Sequence, residues 1–145
     1  MTFIPSDTYK NIIESLPILC VDVMITNENG EYLLVRRANE PLKGEWWVPG
    51  GRVLKSETLE NAVKRKIKEE LGINVKVGGP VGYYEDQYDK NPHETISPLH
   101  TVGIVFHARL LTTNVKLDGQ SSEWGFFNQL PARFAIKPFA HPFQP

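Results

Sequence analysis

Apolar positions along the chain fall into β-type runs, with a helical rhythm in two places. "LPILCVDVMIT" (16–26) is a β-branched apolar run that stops at "NENG". "EYLLVRR" (31–37) follows as its hairpin partner, with Asn29-Gly30 as the turn signal. "NEPLKGEW" reads as a loop, and "WWVPGG" (46–51) as a short strand ending on Pro49, Gly50 and Gly51. "INVKVGG" (73–79), "VGYYEDQY" (81–88) and "HTVGIVFHARL" (100–110) carry strand patterning. The polar loop "DKNPHETISP" separates the last two, and "EWGFFNQL" (123–130) is a short final strand. "SDTYKNIIES" has Ser6 as a helix cap and places Ile12 and Ile13 on a short amphipathic helix. The longer helix lies in "GGRVLKSETLENAVKRKIKEELGI" (50–73), opening at Glu57-Thr58 and stopping at Gly72. Pro138, Pro142 and Pro145 argue against a long terminal helix. Strands on both sides of one central helix predict an α+β (mixed α/β) fold with a mixed sheet.

Composition narrows the class. The 145 residues fit one domain spanning 1–145, and 41% hydrophobic with 23% charged residues fits a folded chain rather than a disordered one. The net charge of -1 argues against a bulk electrostatic nucleic-acid binder. The single Cys20 excludes an internal disulfide framework and reads as a small buried residue in a strand. No apolar run reaches the roughly 20 residues that span a bilayer. "MTFIPSDTYK" has no signal-peptide pattern, so a cytoplasmic location is the default expectation.

The long helix carries the candidate chemistry. At about 100° per residue, Lys66 and Glu70 fall within about 20° of Leu59, on the side that Leu59 and Val63 define. Arg65 and Glu69 form a neighbouring (i, i+4) pair. On one reading Lys66 and Glu70 are an ordinary surface ion pair. On the other, the turn at Pro49-Gly50-Gly51 frees backbone carbonyls for a hard cation, and Glu69 and Glu70 supply hard oxygens suited to magnesium or manganese. Arg37, Arg52 and Arg65 lie on or near the same unit, and guanidinium groups pair with phosphate oxygens. Metal, arginines and a glycine turn together suit a diphosphate.

Gly51, Glu57, Arg65, Ile67, Glu69, Glu70, Gly72 and Ile73 resemble, in register, the Nudix box. The flanking strands fit the Nudix fold, a mixed β-sheet sandwiched between helices. The departure is Lys66, where the box has a metal-binding glutamate. One group that lacks this glutamate, the GDP-mannose mannosyl hydrolases, is similar to the chain outside the box as well, notably in "NENGEYLLVRRANEP" and "WWVPGGRV". The resemblance implies a homodimer that hydrolyses GDP-mannose to GDP and mannose by attack at the anomeric carbon. It implies Mg2+ (or Mn2+) held by the Gly50 carbonyl, Glu70 and Gln120, to which the hard oxygens of Glu69, read from the helix itself, add a further donor. Arg37, Arg52 and Arg65 match arginines that stabilise the departing diphosphate, and Asp22 matches an aspartate near the sugar. Asp22 in an apolar strand, Arg52 in a loop and Gln120 beside Gly119 also admit structural readings. The aromatics Trp46, Trp47, Tyr83, Tyr84, Tyr88 and Trp124 could stack on a base or sugar, or form core.

The group places a histidine directly after the glutamine, where this chain has Ser121. A group tyrosine falls near Thr101 and a group histidine near Asp86. Glu123, Asp86, Glu85, His100 and His93 are the replacement candidates for a base. Two other readings stand beside the first: a pyrophosphohydrolase cleaving a P–O–P bond of a nucleoside diphosphate derivative, and a module that binds a nucleotide sugar without cutting it.

Overall fold

The computed structural model describes residues 4–140, so Pro142 and Pro145 lie outside the described residues. The element order is α1 (Ser6–Ser15), β1 (Ile18–Thr26), β2 (Tyr32–Arg37), β3 (Trp46–Trp47), β4 (Gly50–Arg52), α2 (Leu59–Leu71), β5 (Val75–Tyr88), β6 (Leu99–Leu110), β7 (Ser121–Phe127) and β8 (Lys137–Pro138). The strands form one mixed sheet in the order β3-β2-β1-β6-β5-β8, with β4 on β1 and β7 on β2. β1 and β6 run parallel from Ile18↔Thr101 to Thr26↔Arg109, while the other pairings are antiparallel. Among the described residues, no helix is long and apolar enough to cross a membrane.

β1 is fully buried on the face of Val21, Val23 and Ile25 and partly buried on the other, which is why its sequence up to Ile25 is apolar apart from Asp22. Val21, Val23 and Ile25 face α2, meeting Ala62, Val63, Ile67 and Leu71 in the largest core. The opposite face holds two smaller clusters. Leu34, Trp47, Val48, Tyr84, Val105 and Phe134 form one, and α1 closes the other with Tyr9 and Ile13 over Ile18, Tyr88 and Leu99. The sheet is thus covered by α2 on one side and α1 on the other, as the mixed-sheet sandwich requires.

Several boundaries differ from the sequence reading. α1 starts from Pro5, and Ser6 makes no capping hydrogen bond. α2 begins one residue later than read: the Thr58 hydroxyl accepts from the Asn61 N–H at 3.1 Å, and Gly72 closes the helix at φ 66°. "WWVPGG" divides, because Trp46–Trp47 pairs with β2 and Gly50–Arg52 with β1. The two strands read at 73–79 and 81–88 are one strand, β5, whose pairing with β6 shifts at Val77, Pro80 and Gly82. A bulge absorbs what glycine and proline would otherwise break. The hairpin turn holds: the Asn27 side-chain oxygen accepts from the Asn29 and Glu31 N–H groups, and Gly30 takes φ 74°.

Gly103 lies opposite Cys20 on β6, and a Cβ there would overlap the Asp22 carboxyl group. The Asp22 carboxyl would have to move out of its place in the site to admit the methyl group, so Gly103→Ala should destabilise the fold by about 1–3 kcal/mol, as overpacking does. Exposed Gly79, whose Cβ would meet nothing, is the control, with Gly79→Ala within about 0.5 kcal/mol. Urea denaturation of both variants checks the contrast.

Candidate active site

The site lies where β1 changes partners. One edge of β1 is occupied by β6, while the other pairs with β4 at Cys20–Asp22 and with β2 only at Thr26. β2 turns away toward β3 and β7, and the gap opens a cavity of about 430 Å³. Asp22, Arg37, Gly50, Arg52, Arg65, Glu69, Glu70 and Gln120 all line it, so every candidate site residue reaches one space. Tyr9, Trp47, Tyr84 and Tyr88 add an aromatic wall. Trp47 is also core, packed against Tyr84 and Phe134, and Trp46 and Trp124 pack on Phe127 and Phe126.

Arg65 is a clamp. Its Nε and Nη2 donate to both Glu57 oxygens at 2.6 and 3.0 Å, Nη2 also donates to the Arg52 carbonyl at 3.0 Å, and Nη1 reaches Glu69 at 3.2 Å. Glu57 in turn accepts from the Leu54 N–H at 3.0 Å. These bonds pin the 52–57 loop to α2 and hold the Glu57 carboxyl below its usual range, led by the Arg65 hydrogen bond. With its fork so used, Arg65 positions the loop that carries Arg52 and has few donors left for a diphosphate.

Lys66 is nearly buried, and its ammonium lies 3.3 Å from Glu70 and 3.6 Å from Glu69. The surface ion-pair reading is therefore corrected: the pair faces the cavity from inside, because Leu59, Val63 and Lys66 share the side that packs on the sheet. The lysine stem passes across Gly51, where a Cβ would overlap its Cε. Burial pushes the Glu70 carboxyl upward, opposed by Lys66 and by the Gly50 N–H.

The remaining groups surround this pair. Pro49 and Val53 bond to Val23 and Leu19, so Gly50 sits at a non-hydrogen-bonded position with its N–H and C=O turned away from β1. Arg37 donates from Nε to the Pro41 carbonyl at 2.6 Å. The Arg52 guanidinium lies 4.8 Å from the Tyr9 ring centre. Gln120 donates to Asp118 at 2.9 Å, leaving its amide oxygen for other partners. Burial, then the charge of Glu70, pushes the Asp22 carboxyl up to about 7 against the pull of Arg37. The Cys20 thiol is pushed up to about 12, chiefly by burial, as its structural reading expects.

Of the five replacement bases, His93 alone lines the cavity. Glu123 pairs with Arg36 at 3.2 Å, Asp86 with Arg133 at 2.7 Å, and Glu85 with Lys137 at 3.4 Å and His100 at 3.9 Å. His93 stacks on Tyr9 with ring centres 4.6 Å apart. Burial, then Arg52 and Lys10, lowers its pKa, which favours the neutral imidazole. Thr101 lines the cavity, while Ser121 is buried outside it. The sequence reading missed Tyr9. The signal was present, since Tyr9 stands three and four residues before Ile12 and Ile13 on the same helix face.

The NUDIX domain model matches residues 16–142. The chain is 40% identical over 126 residues to the low-salt glycan biosynthesis protein Agl8 of Haloferax volcanii, covering 87% of this chain and 80% of that one. It is 38% identical over 117 residues to an ADP-ribose pyrophosphatase of Methanocaldococcus jannaschii, covering 79% and 65%. Among solved structures, the MutT protein of Methanosarcina mazei Go1 superposes with a TM-score of 0.68 at 30% identity, covering 81% of this chain and 88% of that one.

Proteins with this domain generally use a divalent ion such as Mg2+. Among the described residues, no three acidic, histidine or cysteine side chains are grouped to hold one unaided. Yet Glu69 and Glu70 already converge on a cation, the Lys66 ammonium. Two carboxylates, the outward Gly50 carbonyl and the Gln120 amide fit an ion that arrives with phosphate oxygens and water, the usual habit of magnesium.

Asp22 supplies a pH test. Its carboxyl is raised from 3.8 to about 7, so the folded state binds more protons than the unfolded state between those values. Stability contributed by the neutral carboxyl is full below the unfolded value and declines as pH rises toward the folded one. That decline is at most about 4 kcal/mol. Asp22→Asn should remove it, so chemical denaturation from pH 4 to 8 should give a flatter profile for the variant. A wild-type slope retained by the variant would refute the assignment.

Proposed function

The chain belongs to the Nudix hydrolase family, and within it we propose that the protein hydrolyses a nucleoside diphosphate sugar, with GDP-mannose the first substrate to test. The observation that carries this reading is the Lys66 ammonium between Glu69 and Glu70, inside a cavity that Arg37 and Arg52 also line. Nucleophilic attack at phosphorus draws on closely held metal ions, whereas departure of a whole nucleoside diphosphate needs only its charge neutralised. Arg37 and Arg52 are the side chains for that task, and Arg65 keeps Arg52 in place through its carbonyl. Gly50, Glu69, Glu70 and Gln120 would hold a magnesium ion, which supplies further neutralisation at the diphosphate. Asp22 faces the sugar side. The Haloferax relative, a low-salt glycan biosynthesis protein, favours a sugar-bearing substrate.

In the reaction, a water oxygen bonds to the anomeric carbon while the bond from that carbon to the β-phosphate oxygen breaks. The electron pair leaves with the diphosphate, and the water proton passes to a base. His93, neutral and at the cavity wall, is that base. A second reading, cleavage of the P–O–P bond, is favoured by the relative described as an ADP-ribose pyrophosphatase. In both cases the substrate joins a nucleoside diphosphate to a sugar.

Incubation of the protein with GDP-mannose and magnesium in 18O-labelled water separates the two. Label in the free sugar is expected, and label in GMP or in mannose 1-phosphate would establish attack at phosphorus instead. Arg52→Ala should lower kcat/KM about a hundredfold, the scale of losing one stabilising donor. His93→Gln should lower kcat and abolish the acidic limb of its pH profile. Absence of turnover with any of a panel of nucleotide sugars would remove the reading altogether.

A further inference from the structure

We propose that Lys66 is a resident cation of the site, one that a divalent ion must displace and that binds a diphosphate directly when no ion is present. Three observations meet here. The ammonium lies within salt-bridge reach of both carboxylates, at 3.3 Å from Glu70 and 3.6 Å from Glu69. The lysine and Glu70 side chains are about equally hidden, 10% and 8% exposed, so each stays buried only because the other compensates its charge. Gly51, which has no side chain to obstruct, leaves the path along which the lysine stem runs.

Charge accounting gives the same answer. A glutamate at position 66 would put three carboxylates together and demand a cation from solution. Lysine in its place already supplies one, and with Arg37, Arg52 and the already engaged Arg65 it makes four cationic side chains on the cavity wall. An arriving diphosphate finds donors without a metal. An arriving metal finds its carboxylates engaged and is repelled at short range by the ammonium. The two ligands therefore help one another: phosphate oxygens give Lys66 a new partner and release Glu69 and Glu70 to the ion. Metal affinity in the free protein is low for this reason, and it rises once a diphosphate is bound.

The metal half of this proposal is independent of the proposed reaction, while the diphosphate half rests on the reading of the cavity as a diphosphate site. Mn2+ titration followed by electron paramagnetic resonance, with no substrate present, tests the first half. Lys66→Gln and Lys66→Glu should each tighten Mn2+ binding about tenfold or more. Gly51→Ala should act in the same direction with the lysine still in the chain, because its Cβ takes the space of the lysine stem. Wild-type Mn2+ affinity in all three variants, each shown to melt cooperatively, would overturn the proposal. Calorimetric titration of inorganic diphosphate into the unaltered protein in EDTA tests the second half without relying on any variant's folding. Binding is expected, weakened about tenfold by Lys66→Gln. An unaltered protein that takes up diphosphate only with a metal would overturn that half. Neither readout involves turnover, so an inactive protein would sink the proposed reaction and leave both results standing.

Discussion

β1 has two edges and must share one of them. β6 occupies the first along the whole strand, and β4 and β2 divide the second. A strand pleats into one continuous ladder when it can, so two short partners on one edge leave a gap in which backbone groups are not mutually satisfied. Here the gap is the cavity, and the groups around it are the ones with chemistry. Gly50 sits on it because glycine alone lets β4 approach so closely: any Cβ there would strike the Val21 carbonyl. The parallel β1–β6 pair keeps the opening rigid, since β6 also holds the long β5 on its far side.

Electrostatics then organise the gap. Arg65 and Glu57 hold the loop after β4 against α2, and Lys66 and Glu70 sit beneath it one turn apart on the same helix. The two pairs differ in kind. The Arg65 fork has most of its donors engaged and acts as a fixed strut. The lysine is a point charge on a flexible stem, able to exchange partners. Two consecutive residues of α2 thus offer a rigid support and a movable charge, which suits a site that must accommodate an incoming anion.

Much of this was legible in the sequence because it rests on local rules. Spacing from Gly51 to Ile73 located the helix and its charged face, and the helical wheel put Glu70 with the apolar side rather than opposite it. The mixed sheet followed from strand patterning around one helix. What was not legible depended on contacts distant in sequence. That "WWVPGG" serves two different strands follows from where β2 diverges. The continuity of β5 through Gly78, Gly79 and Pro80 depends on β6 tolerating a bulge. The isolation of Glu123, Asp86 and Glu85 from the cavity depends on Arg36, Arg133 and Lys137. Lys66 looked like a missing ligand in the sequence, and only its distances reveal it as an occupant.

Gly50 carries one more implication. It meets the cavity through its peptide groups, which every amino acid possesses, and not through a side chain. A truncation survey of the wall would register the arginines and carboxylates and pass over the peptide oxygen beside them. Replacement of Gly50 would be poorly tolerated, and the loss would look like a packing defect of the strand. Part of the cavity wall is therefore hidden from side-chain genetics, and backbone-altering chemistry, such as an ester in place of an amide, is the means of reaching it.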